Sequence, residues 1–84
     1  MDEALKEKIR QKILETKSNK SEIQEISKQL QGIDDSESFM LGIIVGRIYN
    51  SFYYQTRRIL GREPTGAEFQ EFLDMIKTTD LELW

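Results

Sequence analysis

Residues 39–60 read Phe-Met-Leu-Gly-Ile-Ile-Val-Gly-Arg-Ile-Tyr-Asn-Ser-Phe-Tyr-Tyr-Gln-Thr-Arg-Arg-Ile-Leu. No other stretch constrains the fold of this chain as strongly. As a helix it is apolar nearly all round at its start, and basic and aromatic at its end. A helix on the outside of a small protein needs one apolar stripe, and this one carries two. At about 100° per residue, one stripe holds Leu41, Val45, Ile48, Phe52 and Ile59, with Ile44 and Gln55 at its margin. That stripe is the expected core. The second holds Gly42, Gly46, Tyr49, Tyr53 and Leu60, with Phe39 beside it.

Two glycines one turn apart let a neighbouring helix approach closely. Each costs roughly 1 kcal/mol relative to alanine inside a helix, so a pair on one face implies a contact. Tyr49 and Tyr53 add broad area, with hydroxyls that tolerate a wet rim. A helix of the same chain can fill this groove, and so can a second copy. The rest of the chain is short, which favours the second copy. The expectation is a homodimer with Phe39, Gly42, Gly46, Tyr49 and Tyr53 at its interface.

The apolar spacing elsewhere predicts helices over 2–17, 20–31, 37–60 and 66–77, with a tail at 78–84. Together they make one all-α domain over 1–84, with three or four helices around one long central helix. Leu5, Ile9 and Ile13 recur at spacing four, with Ala4 and Leu14 beside them. The polar stretch from Thr16 to Ser21 interrupts that stripe, and Asn19 followed by Glu22 resembles a capping box that restarts a helix. One continuous helix over 2–31 is the competing reading. Ile23, Ile26 and Leu30 continue the pattern, and Gly32 fits a helix stop. Asp34, Asp35 or Ser36 can cap the long helix, with Glu37 at its positive end. Gly61 is its expected stop, with Pro64 close behind. Thr65 and Glu68 form the expected capping box of the last helix, whose apolar face is Phe69, Phe72, Leu73 and Ile76. A helix over 37–60 is about 36 Å long, whereas a compact globule of this length is about 30 Å across. The fold is therefore open and hairpin-like, or another subunit packs along the helix.

Composition narrows the function. At 84 residues a chain buries only roughly 60–65% of its unfolded surface, so association is a usual source of further stability. The absence of histidine and cysteine removes the commonest general base, the commonest transition-metal ligand and all thiolate chemistry. No catalytic, cofactor-binding or metal-ligating residues are expected, and the chain reads as non-enzymatic. Asp34, Asp35 and Glu37 lack the alternating ligands and glycine of a calcium loop, which leaves helix capping as their role. No apolar leader core follows Met1. The longest apolar run, Phe39 to Gly46, falls far below the roughly 20 residues that span a bilayer. A cytoplasmic protein without membrane contact is the expectation.

Net charge is −3, unevenly distributed. Residues 39–62 hold Arg47, Arg57, Arg58 and Arg62 and no acid, while residues 63–84 hold Lys77 against Glu63, Glu68, Glu71, Asp74, Asp80 and Glu82. Arginines interleaved with tyrosine can grip phosphates and stack on unpaired bases. Arg47, Tyr54, Arg57, Arg58 and Arg62 are therefore the candidate anion or nucleic-acid face. The competing expectation is that these arginines neutralise the acidic last helix, or sit at a helix C-terminus where cations are favoured. A helix-turn-helix reader needs a basic recognition helix. The 22–31 segment sets Lys28 and glutamines against Glu22 and Glu25, which argues against one. A homodimeric protein-interaction or adaptor module is the leading expectation, and a small regulatory nucleic-acid-associated protein is the alternative. The tail Leu81-Glu-Leu-Trp84 can fold back on the core, fray or dock on a partner; the sequence leaves these open.

Overall fold

A computed structural model describes residues 1–30 and 32–79 of the protein. Four helices account for 82% of the described residues, which contain no strand. They are α1 (Glu3–Ser18), α2 (Lys20–Gln29), α3 (Ser36–Leu60) and α4 (Gly66–Thr78). This is a small all-α domain built on one long helix.

Each helix starts where a side chain satisfies the free N–H groups of the first turn, except α2. Asp2 accepts the Leu5 N–H at 3.0 Å, and Asp35 accepts the Ser38 N–H at 3.1 Å and the Ser38 hydroxyl at 2.8 Å. Thr65 and Glu68 form the reciprocal capping box of α4. The capping box expected at Asn19 and Glu22 does not form, because the Asn19 side chain makes no cap bond. Asn19 stays near helical geometry, with φ −97° and ψ 17°, whereas an N-cap that reaches its third residue sits in extended backbone. Its own N–H bonds back to Thr16 O at 3.1 Å, so the α1–α2 junction is a backbone kink. The last helical residue of α2 is Gln29. Gly32, at φ 80°, serves the turn into α3 rather than closing α2. Gly61 closes α3 in the left-handed conformation, φ 68°, which glycine adopts without a Cβ clash.

Helices α1 and α3 run antiparallel. Glu15 near the end of α1 meets Arg47 at 3.7 Å, and Lys8, earlier in α1, shares a groove with Tyr54 and Gln55, later in α3. α2 continues past the kink along the first half of α3. α4 doubles back along its second half, where the Phe72 ring stacks on Phe52 with centroids 4.5 Å apart and planes 8° apart. The Met1 ammonium pairs with Glu71 at 2.7 Å, tying the start of α1 to α4. The result is elongated, 40 × 22 × 22 Å, with a radius of gyration of 13.9 Å against about 12 Å for a compact globule of this length.

The core comprises Leu5, Ile9, Ile13, Ile23, Ile44, Ile48, Phe52 and Phe72, with Thr16 and Thr56 also buried. Sequence spacing sets Ile44 at the margin of the core stripe and Leu41, Val45 and Ile59 inside it. In the structure Ile44 is buried and the other three are partly exposed. The buried stripe 44, 48, 52, 56 steps by four residues, which drifts about 40° per step. It therefore winds around α3 and meets α4 at Phe52. The threonines enter the core because their hydroxyls are satisfied within their own helices, Thr16 by Lys12 O at 2.7 Å and Thr56 by Phe52 O at 2.6 Å. Thr16 thus extends the core stripe of α1 rather than ending it.

Candidate functional site

α4 is 13 residues long and α3 is 25. Phe72 lies against Phe52 and, at 6.1 Å between ring centroids, Tyr49. At 1.5 Å per residue Thr78 is about 9 Å further along, so α4 ends level with about residues 44–46 of α3. The first half of α3 keeps an open side. A Cβ placed on Gly42 or Gly46 meets no heavy atom within 4 Å. Tyr49 is 42% exposed, and Phe39 and Tyr53 are partly exposed. The Tyr49 and Tyr53 rings meet edge to face at 5.2 Å. A hydrogen bond and charge coupling with Tyr49 push the Tyr53 phenol above its ordinary range. Phe39, Gly42, Gly46, Tyr49 and Tyr53 therefore share one side of α3, flanked by α4 at the tyrosine end and uncovered at the glycine end. Leu14, Ile26 and Leu30 are further exposed aliphatics, on α1, on α2 and just after it.

The arginines are distributed rather than gathered. Arg47 meets Glu15 of α1 at 3.7 Å. Arg57 donates to Glu63 in the α3–α4 turn at 3.4 Å, and its guanidinium lies 5.5 Å from the centre of the Tyr53 ring. Arg62 holds both oxygens of Glu68, at 2.7 and 3.2 Å. Arg58 is exposed and forms no ion pair among the described residues, and Tyr54 is exposed beside it. Of these four arginines Arg62 pairs with α4, Arg47 with α1 and Arg57 with the α3–α4 turn, and Arg58 pairs with no described acid.

Glu68 is strongly perturbed among the described titrating groups. The Arg62 guanidinium and then the Thr65 N–H hold its carboxyl down at about 2, against the opposing effect of burial. Glu68 in turn raises the Arg62 guanidinium. The Ser38 N–H and hydroxyl likewise keep the Asp35 carboxyl below its usual value. These carboxylates are occupied by caps, which is a structural use of charge. Among the described residues no group of three or more His, Cys, Asp or Glu side chains could hold a metal ion. No described helix is long and apolar enough to cross a membrane.

A shallow polar groove of about 290 Å³ lies between α1 and α3, lined in part by Lys8, Lys12, Asn50, Ser51, Tyr54 and Gln55. Spacing alone sets Lys8 and Lys12 toward water; antiparallel pairing of α1 with α3 brings them to the Tyr54 side. Glu15 also lines the groove and pairs with Lys12 at 3.1 Å, so its charge is mixed. Gln55 also lines it, and its buried Oε1 has no hydrogen-bond partner among the described residues. Nothing in the sequence marked that oxygen, since its burial depends on where α1 sits. The expectations for the tail ending at Trp84 lie outside the described residues. No family model, curated protein or solved structure matches this chain.

Proposed function

We propose that this protein is a non-enzymatic protein-interaction module that acts as a homodimer in the cytoplasm, through the open side of α3. The observation that carries the reading is the uncovered pair Gly42 and Gly46, beside the exposed ring of Tyr49. Two glycines weaken a helix interior, and no described residue fills the space beside them. Glycines that open a helix surface beside an exposed aromatic ring leave room for a second helix to pack closely. The lack of histidine and cysteine supports a role without catalysis.

Sedimentation of the wild type and Gly46→Leu at micromolar concentration tests the reading. The wild type should run as a dimer and the variant should shift toward monomer. Gly46→Ala adds a second readout. In an isolated chain it should stabilise the helix by about 0.5–1 kcal/mol, whereas in the dimer it should weaken association. A well-folded wild-type monomer across this range overturns the proposal. The alternative, a nucleic-acid-associated protein using the arginine and tyrosine face of α3, is favoured by exposed Arg58 and Tyr54.

A further inference from the structure

We propose that the two copies pair antiparallel, about a two-fold axis at the level of Ile44, with Gly42 of one chain against Gly46 of its partner and Phe39 against Tyr49. The inference rests on the dimer reading and adds its geometry. A two-fold interface is self-complementary: if residue i touches residue j of the partner, j touches i. Between antiparallel helices this requires a face whose sequence is symmetric in spacing about one point. The open side of α3 has that property. Gly42 and Gly46 lie two residues either side of Ile44, Phe39 and Tyr49 lie five, and Asp35 and Tyr53 lie nine. The midline of this face lies opposite Ile44 on the helix, and Ile44 is buried in its own core at 3% exposure. The glycines of the symmetric face therefore lie on the side of α3 away from Ile44, while Tyr49 and Tyr53 at its far end border Phe72 and Phe52. Large rings at both ends and glycines in the middle let two such helices cross closely at the centre while each ring covers the partner's opposite end.

Charge selects the same arrangement. Asp34, Asp35 and Glu37 crowd the start of α3, and Arg57 and Arg58 occupy its last turn. Parallel pairing sets acid against acid and base against base. Antiparallel pairing brings Asp35 level with the partner's Tyr53, one turn from Arg57, and opposes the two helix dipoles favourably. Because α4 stops level with about residues 44–46 of α3, the same pairing places each α4 beside the partner's first turns of α3. The occupant that fits the open side is therefore a second copy of this chain in reverse direction.

The absence of cysteine allows clean single-site labelling. Asn50→Cys and Arg58→Cys, both at exposed positions, carry spin labels whose intermolecular distance is measured by pulsed electron resonance, with sedimentation run in parallel. Antiparallel pairing about Ile44 predicts about 20 Å at position 50 and about 40 Å at position 58, from the 1.5 Å rise per residue. Parallel pairing predicts about 8–10 Å between helix axes at both positions. A dimer with unequal distances in the expected order supports the proposal. A dimer with similar distances at the two positions overturns the antiparallel arrangement and leaves the dimer standing. A monomer by sedimentation overturns both.

Discussion

Arg62 and Glu68 form a two-pronged ion pair across the turn between α3 and α4, with Nη1 to Oε1 at 2.7 Å and Nη2 to Oε2 at 3.2 Å. The same Oε1 accepts the Thr65 N–H at 2.9 Å, while Thr65 Oγ1 accepts the Glu68 N–H at 3.2 Å. One carboxylate therefore caps α4 and anchors the residue that follows Gly61. The orientation of α4, and with it the limit of the open side of α3, depends on this pair.

The pair makes stability depend on pH in a fixed direction. The Glu68 carboxyl falls from 4.5 to about 2 on folding. A lowered folded-state value contributes stability that is complete above the unfolded value and is lost as pH falls through the folded one. Its contribution should therefore disappear between about pH 4.5 and pH 2. Thermal melts by circular dichroism should show Glu68→Gln less stable at neutral pH, with the gap to the wild type closing across that window. A gap that stays constant with pH would exclude this role for the carboxylate.

α4 should lose stability in proportion to burial. Phe72 is 2% exposed and stacked on Phe52, so Phe72→Ala should cost about 3–5 kcal/mol. Phe69 is only partly buried, and Phe69→Ala should cost less. Thr65→Ala removes the cap and should cost about 1 kcal/mol. Urea unfolding of the three variants checks the order; equal and negligible losses would mean that α4 is not docked.

Ile13 and Leu14 are neighbours with opposite surroundings, at 9% and 66% exposure. Ile13→Ala should cost about 2–5 kcal/mol, and Leu14→Ala should stay within about 0.5 kcal/mol in unfolding measurements. A large loss at Leu14 would place it in a contact that the single chain does not make.

The arginine face is tested by Arg57→Glu/Arg58→Glu. Arg57 already meets Glu63 and Tyr53, and both arginines sit in the last turn of α3, where a negative charge opposes the helix dipole. The double change should lower the melting temperature modestly, and the wild type should not bind a random oligonucleotide at physiological salt. Micromolar, salt-sensitive binding that the double change abolishes, with helical circular dichroism intact, would promote the nucleic-acid reading, because each phosphate contact releases condensed counterions.

Local chemistry determined where the helices begin and end. Asp35, Gly61, Thr65 and Glu68 act on their own neighbours within four residues, and a sequence displays such relationships directly. The same holds for the apolar spacing that identified α3 as the longest helix and Leu5, Ile9 and Ile13 as core. Asn19 was misleading because a side chain able to cap does so only if its backbone leaves helical geometry, and here it does not. What the tertiary structure decided is angular. The burial of Ile44 and Thr56, the partial exposure of Leu41 and Val45, the Glu15–Arg47 contact and the uncovered glycines all depend on how α1, α2 and α4 are rotated about α3. Periodicity marks two apolar stripes on that helix, but only neighbours from distant parts of the chain determine which stripe lies inside and how far the other is left open.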